Sequence, residues 1–234
     1  MKLLAVDSST EACSVAVLSG EAVFEHHDLA PKRHTQELLP VIDKVLKQAG
    51  LSIRELEGIA FGAGPGSFTG LRICLGAVQG LAYGANIPVI PVSSLAVLAQ
   101  TAILHHGVEE GGLIVSAFDA RMDEVYWGLY RHDDGLVTLQ GQEHLSSPEQ
   151  LILNETAVSA GIKNNPSIIA VGSGWGYQER IPALGQGLTD EGLLPHASAM
   201  LSLAASAYQQ GLAITADKAQ PTYLRDEVAW QKQS

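Results

Sequence analysis

Leu113-Ile-Val-Ser-Ala-Phe-Asp-Ala-Arg121, followed by Glu124-Val-Tyr-Trp-Gly-Leu-Tyr130, repeats in mid-chain what Leu3-Leu-Ala-Val-Asp7 and Ala12-Cys-Ser-Val-Ala-Val-Leu18 do at the start. Each is an apolar strand ending on an aspartate, then a short polar turn, then a second apolar strand. Working outward, the first half reads as strands over 3–7, 12–18 and 22–29, a helix over 34–49 and a strand over 58–61. The second half reads as strands over 113–119, 124–130 and 136–145, a helix over 147–157 opened by Ser-Pro, and a strand over 168–171. Three strands, a helix and a strand, given twice, mark a duplicated βββαβα unit.

By topology this is an α/β chain of the actin-like, sugar-kinase and Hsp70 type, with a first lobe over 1–104 and a second over 105–234. The boundary falls near His105-His106-Gly107, and the last helix, near 197–212, is free to pack back on the first lobe. At 234 residues with 46% apolar content, such a chain builds its cores without staples. Cys13 and Cys74 sit in apolar surroundings far from any CxxC spacing, as buried thiols of a reducing compartment do, so a cytoplasmic protein is expected. The opening residues enter directly into a strand and carry no secretory signal pattern. Between Arg72 and Glu109 there is no Asp, Glu, Lys or Arg, but Gln79, Asn86, Pro88, Pro91, Ser93 and Ser94 interrupt the run, which therefore reads as interior and not as a membrane span. A net charge of −11 with 14 scattered Lys and Arg argues against autonomous nucleic-acid binding and leaves any RNA role indirect.

Gly62-Ala-Gly-Pro-Gly-Ser-Phe-Thr-Gly-Leu-Arg72 joins the strand over 58–61 to an apolar helix capped by Ser67 or Thr69. A glycine loop opening a helix suits an anion, because unpaired backbone N–H groups and the helix dipole meet there. The lysine of a Walker loop is missing, and the dinucleotide fingerprint fails by one position. Two readings stay open: a phosphate loop using Asp7, Ser8, Gly64, Gly66 and Ser67, or a tight packing turn. Asp7 is likewise either a carboxylate that orients Mg²⁺ through water or the cap of a β-hairpin turn. The eight histidines show no HExxH or HxxxH spacing, and no Gly-x-Ser-x-Gly elbow occurs, so neither a metal ligand set nor a nucleophile is found.

Two helices ask for a partner. The helix over 34–49 spreads its apolar residues over roughly 160° of arc, wider than a surface helix needs. The helix over 71–85 is apolar nearly all round and sets Gly76, Gly80 and Gly84 on one strip, each costing about 1 kcal/mol against alanine. Something packs close to that strip, either the helix near 197–212 or another subunit.

Ala5-Val-Asp-Ser-Ser-Thr10, His34-Thr-Gln-Glu-Leu-Leu-Pro40, Gly64 to Arg72, Ile87-Pro-Val89, Asp119-Ala-Arg121 with Glu124-Val-Tyr126, and Pro221-Thr-Tyr-Leu-Arg225 together resemble the bacterial TsaB (YeaZ) family. The resemblance runs from the first strand to the C-terminus. It implies a two-lobed actin-like fold and a part in forming threonylcarbamoyladenosine beside the anticodon of tRNAs that read codons beginning with adenosine. It implies a non-catalytic partner of the paralogue TsaD, joined by the ATPase TsaE and homodimeric when alone. The paralogue's His-Met-Glu-Gly-His metal motif falls here on Ser94-Leu-Ala-Val-Leu98, without either histidine, which implies a pseudo-enzyme with no cofactor or metal. The family's pairing surface implies an interface of His34, Leu38, Leu39, Ile42 and Val45 on the first helix, with Arg72, Ile73, Gly76, Ala77, Gly80, Tyr83 and Gly84 on the second. Cys74 stands where relatives often have glycine. The alternatives are an ATP-dependent phosphotransferase using Asp7 and the glycine loop, and a metallopeptidase.

Overall fold

The computed structural model describes residues 1–151, 168–182 and 187–225. The first sheet is built from β1 (Lys2–Asp7), β2 (Ala12–Ser19), β3 (Ala22–Leu29), β4 (Gly58–Gly64) and β5 (Val89–Ser93), in the order β3-β2-β1-β4-β5. β1, β2 and β3 form an antiparallel meander, while β4 and β5 run parallel to β1. The second sheet comprises β6 (Leu113–Arg121), β7 (Glu124–Asp133), β8 (Leu136–Leu139), β9 (His144–Ser146), β10 (Ile168–Val171) and β11 (Thr189–Asp190). Its order, β11-β10-β6-β7-β8, repeats the first sheet with the same parallel and antiparallel choices. The fold is a two-lobed actin-like α/β architecture.

The residues explain the layers. β1 and β4 are buried on both faces, and Leu4, Val6, Ile59 and Phe61 face one side while Leu3, Ala5 and Ala60 face the other, as a period of two requires. α1 (His34–Gln48) and α2 (Phe68–Ala85) cover the first side, with Leu38, Ile42, Val45, Cys74 and Val78 in that core. α4 (Ala197–Gln209) covers the second side through Ala197, Met200, Leu201 and Ala204. α3 (Ser94–His106) is apolar on most of its surface because it is covered from two sides: Leu95, Leu98, Ala99 and Ala102 pack on Ile114, Phe118 and Tyr130 of the second sheet, while Val97 joins the core beneath α4. The helix that ends the first half thus packs on the second sheet, and the last helix packs back on the first.

Several boundaries move. The expected strand over 136–145 divides into β8 and β9, because Gly141 takes a positive φ of 96° between them. The strand over 58–61 continues to Gly64, since Gly62 and Gly64 pair with β5 through a register shift. The helix expected over 147–157 begins as a 3-10 turn at Pro148–Gln150, and its remainder, from 152, lies outside the described residues.

Candidate functional site

The glycine loop folds down onto the β1–β2 turn. The backbone N–H of Ser67 donates to the carbonyl of Ser9 at 2.7 Å, and the Ser8 hydroxyl donates to the carbonyl of Gly70 at 2.9 Å. A Cβ on Gly66 would stand 2.5 Å from the Ser9 carbonyl oxygen, and one on Gly70 only 1.9 Å from that of Ser8. These glycines let two stretches of backbone meet. Ser67 caps α2, its hydroxyl accepting from the Gly70 N–H at 3.3 Å, and the Gly64 N–H donates to the Ser94 hydroxyl at 3.2 Å. The donors of Gly64, Ser67 and Gly70 are therefore spent on this chain's own oxygens, which meets the packing-turn reading of the loop.

Asp7 lies beneath the loop with no exposed surface. Its Oδ1 accepts from the Ser9 N–H at 2.9 Å and the Ser9 hydroxyl at 2.8 Å, while Oδ2 is buried without a hydrogen-bond partner among the described residues. Burial pushes its acid group up to about 6, against the pull of the Ser9 hydrogen bonds and the His34 charge. Gly62 is required here as well, since a Cβ there would stand 2.0 Å from Asp7 Oδ2.

The C-terminal segment straps the loop from outside. The Thr222 N–H donates to the Ala63 carbonyl at 2.7 Å, and the Arg72 Nε donates to the Tyr223 hydroxyl at 3.3 Å, with the guanidinium 3.7 Å over the Phe68 ring. Arg225 then crosses to the second lobe, pairing with Glu124 at 2.6 Å and donating to the Ala120 carbonyl at 3.2 Å. The strap's role was not foreseen from the sequence, although Pro221 to Arg225 stood out as a motif.

The interface expected on α1 needs correction. Leu38, Ile42 and Val45 are 1%, 2% and 0% exposed, packed into the first lobe's own core, so the wide apolar arc of α1 is used mainly inward. His34 is also buried, its Nε2 at 3.1 Å from the Ala12 carbonyl oxygen, where it ties α1 to β2. Those four residues are not offered to a partner, whereas Leu39 is 51% exposed. On α2 the strip behaves differently: among the described residues a Cβ on Gly76, Gly80 or Gly84 would meet nothing within 4 Å. Tyr83 beside it is 82% exposed, Arg72 is exposed, and Ile73 and Ala77 are half-buried. α4, the intramolecular neighbour considered for the strip, lies on the opposite face of the sheet.

The motifs Ala5 to Thr10 and Gly64 to Arg72 thus meet where β1, β4 and the N-terminus of α2 come together, and comparison with known proteins identifies the arrangement. The family model described as TsaD, tRNA N6-adenosine threonylcarbamoyltransferase, matches residues 26–233. The chain is 39% identical to the tRNA threonylcarbamoyladenosine biosynthesis protein TsaB of Escherichia coli strain K12, over 99% of this chain and 98% of that one. It is 41% identical to TsaB of Haemophilus influenzae, over 99% of this chain and 97% of that one. The chain belongs to the TsaB family. Its structure follows that of YeaZ from Pseudomonas aeruginosa with a TM-score of 0.87 at 42% identity, covering 95% of this chain and 99% of that one.

Within the TsaB framework, the segment Ser94-Leu-Ala-Val-Leu98 forms the first turns of α3. Ser94 is buried against Gly64, and Leu95, Val97 and Leu98 are fully buried core. Hydroxyl and aliphatic groups stand there, and neither binds a transition metal as imidazole does. Cys13 and Cys74 are buried free thiols, and burial raises both above the ordinary range, Cys13 to about 11, so neither is a nucleophile at neutral pH.

A second cluster escaped the sequence reading. Glu25 and His27 on β3 meet His196 at the N-terminus of α4. The His27 and His196 rings stack at 3.7 Å with 7° between planes, and His105 leans on His196 at 4.8 Å. Burial and the neighbouring His196 push His27 down to about 4. Burial pushes Glu25 up, but hydrogen bonds from His196 and Ser198 outweigh it and hold the carboxyl near 2. The i, i+2 spacing of Glu25 and His27 is a visible signal; the third member lies 169 positions beyond His27, and only the fold brings it in. Among the described residues no helix is long and apolar enough to cross a membrane.

Proposed function

We propose that this chain is the non-catalytic partner of a TsaD-type threonylcarbamoyltransferase, required for forming threonylcarbamoyladenosine beside the anticodon of tRNAs that read codons beginning with adenosine. In this reading it works in the cytoplasm, a TsaE-type ATPase joins the assembly, the chain pairs with itself when alone, and it touches tRNA only through its partners. The lobes are taken as 1–104 and 105–234, a boundary that falls inside the last turn of α3.

The observation that carries the proposal is the open strip of Gly76, Gly80 and Gly84. Three glycines inside one helix cost about 1 kcal/mol each against alanine. Among the described residues nothing approaches them to make that cost useful. A second helix laid across the strip, with Ile73, Ala77 and Tyr83 on the same helix, buries apolar surface at close backbone distance. The absence of chemistry in this chain is supported by the loop's engaged donors and by Asp7 lying sealed beneath them. The phosphotransferase alternative needs Asp7 reachable by hydrated Mg²⁺, and calorimetry with ATP and Mg²⁺ tests it directly.

The proposal is tested with Gly80→Leu. The expected result is a circular dichroism spectrum and melting temperature like the parent's, with loss of co-purification of the TsaD-type partner and of the modified nucleoside in cells relying on the variant. Full co-purification and normal modification by Gly80→Leu would overturn it.

A further inference from the structure

The cluster at Glu25, His27 and His196 is not used by the reading above, and it has the make-up of a metal site. Glu25 and His27 point to the same side of β3, as a spacing of two requires, and β3 is held in register by β2 along its whole length. His196 arrives from the N-terminus of α4, which the Ser14 hydroxyl anchors by accepting the Ala197 N–H at 2.8 Å. One ligand atom from each of the three residues lies within 4.8 Å of the other two. The donors come from two rigid elements, and the residues are part-exposed, which leaves an entry path for an ion.

We propose that Glu25, His27 and His196 bind a divalent transition ion of the zinc class. Two imidazoles and a carboxylate are nitrogen and oxygen donors suited to such an ion, with a fourth position left to solvent. His27 already has the supporting contact that metal-bound histidines use: its Nδ1 meets the Ser14 hydroxyl at 3.1 Å, which leaves Nε2 to the ion. Glu25 Oε1 accepts from the Ser198 N–H at 3.1 Å and lies 3.3 Å from His196 Nδ1. Zinc bonds of about 2.0–2.2 Å set tetrahedral donors about 3.4 Å apart and need the ring nitrogens to converge, so binding turns the His196 ring out of its parallel stack on His27 and exchanges its 3.3 Å contact with Glu25 for the ion. Bound there, the ion joins the outer strand of the first sheet to the N-terminus of α4.

The test is calorimetric titration of the metal-stripped full chain with Zn²⁺ in a non-chelating buffer. One equivalent binds at micromolar or tighter affinity and raises the melting temperature. His27→Ala and His196→Ala each weaken uptake by on the order of 100-fold, Glu25→Gln by on the order of tenfold, and His144→Ala, remote on β9, leaves it unchanged. Co²⁺ added to the unaltered chain reads the site without depending on any variant's folding: four-coordinate d–d bands without thiolate charge transfer support it. No uptake by the parent, uptake indifferent to His27 and His196, or a thiolate band placing the ion on a cysteine would each overturn the proposal.

Discussion

The two lobes carry the same turn in different surroundings. In the first, Asp7 Oδ1 accepts the Ser9 N–H at 2.9 Å; in the second, Asp119 Oδ1 accepts the Arg121 N–H at 2.8 Å. In each lobe glycines following the next parallel strand come close: Gly66 and Gly70 against Ser9 and Ser8 of the turn, Gly172 and Gly174 against Ala117 in the strand that leads into it. The local motif is duplicated, but its second oxygen is not treated alike. Asp7 Oδ2 is buried and unpaired among the described residues, whereas Asp119 Oδ2 meets the exposed Arg121 guanidinium at 3.0 Å. The difference teaches that an aspartate's turn geometry and its chemistry are set separately, the first by its neighbours in sequence and the second by what packs over it.

The comparison can be broken hardest at the glycines. Gly70→Ala drives a methyl group to 1.9 Å from the Ser8 carbonyl oxygen, with backbone on both sides and no flexible atom to yield. It is expected to destabilise by about 3 kcal/mol or more in urea unfolding. Gly172→Ala, with 2.4 Å to the Ala117 carbonyl oxygen and a φ of 96°, is expected to do comparable damage in the other lobe. Ile42→Glu belongs in the same range, because Ile42 is core and a buried unpaired carboxylate has no compensation.

Next in size is a difference between the two aspartates. Asp7 is raised to about 6 in the folded protein, so the folded state holds a proton that the unfolded state, near 3.8, has lost. Stability therefore falls as pH rises from about 4 to about 6 and levels above that. Asp7→Asn keeps the oxygen that accepts from Ser9 and removes the charge. It is expected to stabilise at pH 7 by on the order of 2 kcal/mol, with the gain fading below about pH 4. Asp119→Asn, which loses only an ion pair to an exposed arginine, is expected to change stability by less than about 1 kcal/mol. Equal pH-dependent gains from both substitutions would erase the distinction between the lobes.

The smallest effect separates the two kinds of glycine. Gly76→Ala and Gly80→Ala meet no atom of the described residues and remove only backbone freedom, so each is expected to raise monomer stability by about 0.5–1 kcal/mol in thermal or urea unfolding. A loss instead would mean that the strip is already occupied within this chain.

Much of this architecture could be read before any coordinates. The apolar runs Leu3 to Asp7 and Leu113 to Asp119, each ending on an aspartate, announced both first strands, and the repeated order of elements announced the duplicated sheets. Ser67 was one of two cap candidates, and the cap bond identifies it. The face of α1 was misjudged at Leu38, Ile42 and Val45 because a helical period tells which residues share a face, not whether that face looks inward. The glycine loop stayed ambiguous for a related reason: glycine permits close approach but does not name what approaches.

By itself, then, the sequence determined the elements, their doubling and the family, because these follow from patterns among residues a few positions apart. Only the tertiary structure decided that Ser8 and Ser9 fill the space beneath the glycine loop. It also decided that the strip on α2 faces outward and that His196 lies against Glu25 and His27. Such meetings join residues from 57 to more than 160 positions apart, and their distances depend on how whole layers stack. No local periodicity carries that information.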